Sequence, residues 1–441
     1  MTVEPYSGPH FVTSGGIPVH VEESHALPLV DIEILCCEGS VLDPIGREGL
    51  TRLTAQMIRR GPRGMSAEAF DEAIESLGAV LSATISPHTV RFHGSVIRRN
   101  LEPFLRLIGR MLATPGLRPK DLARQKRKNE AELIELRDHD RSLAARAFRR
   151  HLFREHPYGR PASGSLETVG SFTRAEVSAQ LERLVCAKNL LIGVAGDVTA
   201  EEIAPILDRE LAGIPTGASC RVELRPAQIA PGRRVLVVDK PQRTQTQVYV
   251  GTLGARVAEP DYHALLVANT GFGGTFTSRL VQEVRAERGW SYGVGSKLGV
   301  DREREAWTMW THPAAEQVLD CLRLELELLD AWVDEGLSDA EVQRASDYLV
   351  KSHAFDLETA EKRLEPQLET ALYDLPRDYF PRFVEHVRAV TPRAAADAVR
   401  ARIAKDDLSI ALVATATDEL MAGLAALPGV RTVERRSVDS V

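Results

Sequence analysis

Apolar residues recur along this chain at two spacings, three to four residues in some stretches and two in others, and the order of these stretches is written twice. In the first half, GLTRLTAQMIRRG (49–61) and SAEAFDEAIESLG (66–78) carry helical spacing and each stops at a glycine, after which AVLSATISPHTVRFHGSV (79–96) alternates as strands do. In the second half TSRLVQEVRAERG (277–289) stops at Gly289 and leads into the strand text WSYGVGSKLGV (290–300). Long helical patterns come next in both halves, LEPFLRLIGRMLATP (101–115) and AEQVLDCLRLELELLDAWVDEG (315–336). Both halves then close alike, with a threonine opening a helix, at Thr173 and Thr391, and a buried-type strand starting 17 residues later, at Leu190 and Leu408.

Thr173 to Thr391 and Leu190 to Leu408 are both offset by 218 residues, and Gly78 to Gly289 by 211. Solenoid repeats run to about 20–50 residues, so a period this long predicts a duplicated domain. The expected class is α+β. The expected division is 1–220, a linker at 221–235, where Pro, Gly and Arg replace periodic apolar text, and 236–441.

The polar positions of the 49–61 helix are unusual. Arg52, Ala55 and Gln56 lie about one turn apart, where a helix would carry two metal ligands and a base. A cation, a methyl group and an amide do none of that work. In the second half, GFGGTFTSRLVQEVRAERGWSYGVGS (271–296) begins with glycines at 271, 273 and 274 that allow close backbone approach, with Ser278 as the expected N-cap and Leu280, Val281 and Val284 as the buried stripe. Arg285 borders that stripe, and Tyr292, three residues past Gly289, is expected on the following strand. A guanidinium and a phenol so placed can converge on one carbonyl oxygen as oxyanion donors, although spacing alone also admits Arg288.

Composition narrows the field. With 44% hydrophobic and 27% charged residues the chain reads as globular, and its net charge of −7 offers no basic footprint for nucleic acid. Cys36, Cys37, Cys186, Cys220 and Cys321 form an odd set without C-x-x-C spacing, which predicts reduced thiols. No apolar run is long enough to span a bilayer, and the N-terminus lacks the basic start and apolar run of a signal peptide. These features predict a cytoplasmic protein with no membrane or nucleic-acid partner. His20 and His25 in HVEESH match neither H-x-x-E-H nor H-E-x-x-H, and His88 and His93 sit in strand text, so no metal site is expected in this chain. No G-x-S-x-G elbow and no evident cysteine–histidine pairing points to a metal-independent hydrolase.

With both stretches in view, the chain resembles the insulinase-like zinc peptidases, the family of pitrilysin and the mitochondrial processing peptidase, and in particular its short bacterial two-chain branch. The marks are the duplicated unit, GLTRLTAQMIRRG, HPYGRP (156–161), NLLIGVAGDV (189–198) and GGTFTSRLVQEVRAERGWSYGV (273–294). The resemblance implies two homologous α+β domains forming half of a clamshell. In active members the first helix carries H-x-x-E-H, whose positions fall here on Arg52, Ala55 and Gln56, with a third ligand near Glu132, flanked by Glu130 and Glu135. It also implies a substrate-binding pair spaced R-x-x-x-G-x-x-Y, which Arg285, Gly289 and Tyr292 match, favouring Arg285 over Arg288. A non-catalytic subunit is therefore expected, with no cofactor of its own. Its partner would be a homologous H-x-x-E-H subunit holding zinc, and its substrate a peptide added as a strand on a sheet edge. A homodimer is the alternative assembly when the chain is alone. The rival reading is a structural subunit, as in the core proteins of respiratory complexes.

Overall fold

The computed structural model describes residues 9–440. Its chain divides into two compact units. One takes in residues through Leu133, Pro161–Glu223 and Ala354–Pro381; the other takes in Ile134–Arg160, Leu224–His353 and the chain from Arg382 onward. The first eight residues, on which part of the leader argument rests, lie outside the described residues.

The first unit is built on a six-stranded mixed sheet of β1 (His10–Val12), β2 (Pro18–Glu23), β3 (Leu29–Cys36), β4 (Val80–Ile85), β5 (Val90–Ile97) and β6 (Leu190–Gly196), in the order β1-β2-β6-β3-β5-β4. β2 and β6 run parallel, whereas β3 is antiparallel to β6 and to β5. The strand β6, read as buried text, is buried at every position, because both faces of the sheet are covered. On one face Ile32, Ile34, Phe92 and Ile192 pack with side chains of α1 (Leu50–Arg59), α2 (Ala67–Ser76) and α3 (Leu101–Ala113). On the other face Leu35, Leu191 and Ala195 pack against Leu364 and Leu368 of the Ala360–Leu372 helix. Gly193 permits that approach, since a Cβ there would meet Leu364 Cδ2 at 2.7 Å.

The second unit repeats the plan with β7 (Arg233–Asp239), β8 (Gln247–Leu253), β9 (Val294–Leu298), β10 (Ala306–Thr311), β11 (Ser409–Ala414) and β12 (Val430–Ser437), in the order β12-β7-β11-β8-β10-β9. Five strands correspond one to one in order and direction; the sixth differs, because β1 is antiparallel to β2 while β12 is parallel to β7. The duplication extends to helices: α4 (Pro119–Leu136) and the Asp339–Asp356 helix are offset by 220 residues at both ends. The same 220-residue step relates α5 (Asp140–Phe153) to the Ala360–Leu372 helix. Each of these last two helices belongs to the unit whose strands lie mostly in the other half of the sequence, which hydrophobic periodicity does not reveal. Thr173 and Thr391 do open helices, each accepting a backbone N–H through its hydroxyl. Among the described residues no helix is long and apolar enough to cross a membrane, and the five cysteines are free thiols.

Candidate functional site

The helix α1 is seated by Asp43, a buried carboxylate that accepts from the Gly49 N–H (2.8 Å), the Thr51 N–H (2.7 Å) and the Thr51 hydroxyl (2.7 Å). A negative group at these free N–H donors satisfies the helix start and opposes its dipole favourably. Gly49 precedes the helix at φ 95°, and Gly61 follows it at φ 92°.

This seating aims Arg52 and Gln56 at α4. Arg52 Nη2 donates to Glu132 Oε2 at 2.7 Å, and Gln56 Oε1 accepts from Asn129 Nδ2 at 2.8 Å. Glu132 is thus the carboxylate that faces Arg52, whereas Glu135 is exposed and reaches toward His139, the residue just before α5. Ala55 does not share the face of its two neighbours: it is fully buried and packs in the core beneath α1. The three positions thus form one ion pair, one amide–amide hydrogen bond and one core contact. The set does not fit zinc, because a guanidinium is a permanent cation and Glu132 is left as the one anionic donor.

Other ligand-type residues fall outside this helix. His25 pairs with Asp197 at 2.6 Å, which raises its pKa, and His20 lies on β2, where burial lowers its pKa. His88 is buried against Glu38 at 2.9 Å. His93 on β5 faces Glu33 on β3 at 2.8 Å, and the donor atoms of Glu33, His93 and Glu361 lie within 4.8 Å of one another. Arg91, 3.7 Å from the second oxygen of Glu33 and doubly bonded to Glu365 at 2.6 Å, completes this group as an ion-pair network joining the Ala360–Leu372 helix to the sheet. Those three donors were not singled out together by spacing, since they come from two strands and a helix far apart in the chain.

The stretch carrying Arg285 departs from the expected single helix. Residues Thr270–Gly274 and Gln282–Glu287 are wound as π-helix, with one α-helical turn at Arg279–Val281 between them. Such widened turns are rare and concentrate at functional sites. Ser278 occupies the N-cap position as expected, but its side chain makes no capping bond; its hydroxyl donates instead to the Thr275 carbonyl at 2.6 Å. The expected buried stripe, Leu280, Val281 and Val284, is buried. Arg279 is held by Glu341 through two bonds of 2.9 and 2.8 Å. Buried Asn269, which the sequence reading missed, accepts from the Ser296 hydroxyl and the Trp307 indole N–H, both at 2.8 Å, and so locks the stretch to β9 and β10. Gly273 sits so close to β9 that a Cβ would meet the Ser296 nitrogen at 2.8 Å.

On this platform Arg285 and Arg288 differ sharply. Arg288 is engaged by Glu283 at 2.6 Å, whereas Arg285 has no carboxylate within ion-pair distance among the described residues. Its guanidinium instead rests 5.2 Å from the ring centroid of Phe276, a phenylalanine 76% exposed. Tyr292 is 87% exposed and lies in the bend two residues before β9, so it precedes the strand rather than projecting from it. No hydrogen bond joins Arg285 to Tyr292 among the described residues. β9 is an edge strand, paired with β10 alone.

A chain that builds one α+β unit twice defines a class, and comparison with known proteins names it. Residues 19–165 match the model of insulinase (peptidase family M16), and residues 171–349 match that of the peptidase M16 inactive domain. The chain belongs to peptidase family M16. It is 20% identical over 403 residues to the non-peptidase homolog YmxG of Helicobacter pylori, covering 91% of this chain and 93% of that one. It is also 26% identical over 341 residues to an uncharacterized zinc protease of Mycobacterium leprae, covering 75% of each. Among solved structures, a peptidase M16 inactive domain from Pseudomonas fluorescens superposes with a TM-score of 0.87 at 23% identity, covering 93% of this chain and 99% of that one. A chain of complex III2 from Candida albicans superposes at 0.77 with 15% identity, covering 92% and 96%.

Proposed function

We propose that this chain is the non-catalytic, substrate-binding subunit of a two-chain zinc peptidase, and that Arg285 and Tyr292 hold the peptide for a partner that carries an intact H-x-x-E-H. The observation that carries this reading is the contrast between two arginines. Arg52, at a former ligand position, is consumed by Glu132, while Arg285 is kept free of any carboxylate on a platform anchored by Asn269 and Arg279. A guanidinium without an ion-pair partner is available to donate to a peptide carbonyl, and an exposed phenol seven residues on, at Tyr292, offers a second donor. Both act by binding and orienting the carbonyl and by donating to the oxyanion that forms there. The open edge of β9 supports recognition of the peptide backbone as an added strand, with little selectivity for side chains. Five free thiols support a reducing compartment, such as the cytoplasm, as the setting of this activity.

The experiment is peptide cleavage by this chain, by an M16 chain with intact H-x-x-E-H from the same organism, and by the mixture. Activity confined to the mixture is expected. Tyr292→Phe should lower its turnover by about a hundredfold to a thousandfold, the typical loss of one oxyanion donor, with complex formation unchanged by gel filtration. Undiminished turnover in the variant overturns the assignment of the pair. The second reading, a scaffold, is supported by the likeness to the Candida albicans complex III2 chain, and a stable complex that cleaves nothing would favour it.

A further inference from the structure

The duplication builds one groove twice, and the two copies differ in charge. In the second unit α5 lies across the sheet, and its flank together with β7 and β12 lines a groove of about 440 Å³. In the first unit the Ala360–Leu372 helix and the β1–β2 edge, through His10 and His20, line the corresponding groove, of about 310 Å³. The helix-side linings match residue for residue at the 220-residue step: Ala147 with Gln367, Arg150 with Thr370, His151 with Ala371, and Arg154 with Asp374. Arg154 and Asp374 even share a left-handed φ of 53°. The scaffold is the same; the side chains are not.

We propose that the groove of the second unit is a binding site for a small oxyanion, a phosphate or carboxylate ligand, in which Arg154 and Arg234 are the principal donors. This site lies on a different face of chemistry from the peptide site and does not depend on that reading.

Four guanidiniums, Arg150, Arg154, Arg234 and Arg436, line the groove against two carboxylates, Glu155 and Glu434, and Glu434 is already bonded to Arg436 at 2.7 Å. Arg234 stands on the floor, on β7, with its Nε and Nη2 buried and without a hydrogen-bond partner. Buried donors left unmet carry a desolvation cost that a bound acceptor removes. The third nitrogen, Nη1, lies 3.4 Å from His151 Nε2, and His151 Nδ1 lies 2.7 Å from the Ser409 hydroxyl. A guanidinium only donates, so Nε2 is the acceptor and the ring is neutral with its proton on Nδ1. Burial, with Arg234 beside it, pushes the His151 pKa down to about 4, as expected where positive charge is in excess. Guanidiniums bind phosphate and carboxylate through paired N–H donors, and the volume suits a small ligand.

The test is isothermal titration calorimetry of the full chain with pyrophosphate and, separately, with citrate, at constant ionic strength. One ligand per chain is expected, and the tighter of the two anions tells phosphate from carboxylate. Arg154→Gln and Arg234→Gln should each weaken binding by about tenfold to a hundredfold, the range for losing a charged hydrogen-bond donor. Thr432→Glu, at an exposed position on the groove floor, should abolish binding by placing a carboxylate among the arginines, with an unchanged circular dichroism spectrum. Absence of heat with both anions, or affinities unaltered in all three variants, overturns the proposal.

Discussion

The ion pair between Arg52 on α1 and Glu132 on α4 makes a measurable prediction. Arg52 and Glu132 are 2.7 Å apart with side-chain exposures of 25% and 37%, and Lys128 lies 3.7 Å from the other Glu132 oxygen. Two charges about 4 Å apart interact by about 4 kcal/mol at an effective dielectric of ~20 and by about 1 kcal/mol in water. Because Glu132 is more than a third exposed and shared with Lys128, the value belongs near the aqueous end, so the expected coupling is about 0.5–1 kcal/mol. A double-mutant cycle of Arg52→Ala, Glu132→Ala and the pair, followed by urea unfolding, isolates that term. At about 2–4 °C per kcal/mol for a unit of this size, Arg52→Ala should lower Tm by roughly 1–4 °C. Raising salt to about 1 M, where the Debye length falls to ~3 Å, should shrink the coupling. Zero coupling at low salt, with Arg52→Ala as stable as the parent, would refute the view that Arg52 braces α1 against α4.

Further outcomes follow from the same geometry. Arg52→His with Gln56→His restores two imidazoles four residues apart on α1, opposite Glu132, so the double variant should retain about one zinc per chain after dialysis, measured by plasma mass spectrometry. It should still cleave nothing, because Ala55 supplies no base. Glu325 is 1% exposed with neither oxygen hydrogen-bonded, and burial pushes its pKa from 4.5 up to about 8. Between those values the folded chain keeps a proton that the unfolded chain has lost, so stability should fall as pH rises, by about 1.4 kcal/mol per pH unit, and level off above the folded value. Glu325→Gln should flatten that slope; parallel pH curves for parent and variant would contradict the assignment.

Much of the architecture was legible in the sequence because it rests on local rules. Glycine at positive φ ended the helices at Gly61, Gly78 and Gly289, threonine opened those after Thr173 and Thr391, and uninterrupted apolar text marked β6 and β11. The helix that carries Arg52, Ala55 and Gln56, and the turn at Gly289 between Arg285 and Tyr292, were likewise readable, because helix spacing and a glycine stop are properties of residue identity along the chain.

Tertiary structure decided what depends on partners far away in sequence. Spacing put Arg52, Ala55 and Gln56 together, but the packing of α1 turned Ala55 into the core and left the other two facing Glu132 and Asn129 on α4. Arg285 and Arg288 were equivalent candidates by position alone; π-helical winding and the nearness of Glu283 separated a free guanidinium from a paired one. The 218-residue offset announced a duplication, but which unit each copy of the α5-type helix would cover, and so which groove would gather arginines, is set by long-range burial of apolar faces rather than by periodicity. Hydrophobic period fixes which side of an element is apolar, and only the assembled core determines what that side meets.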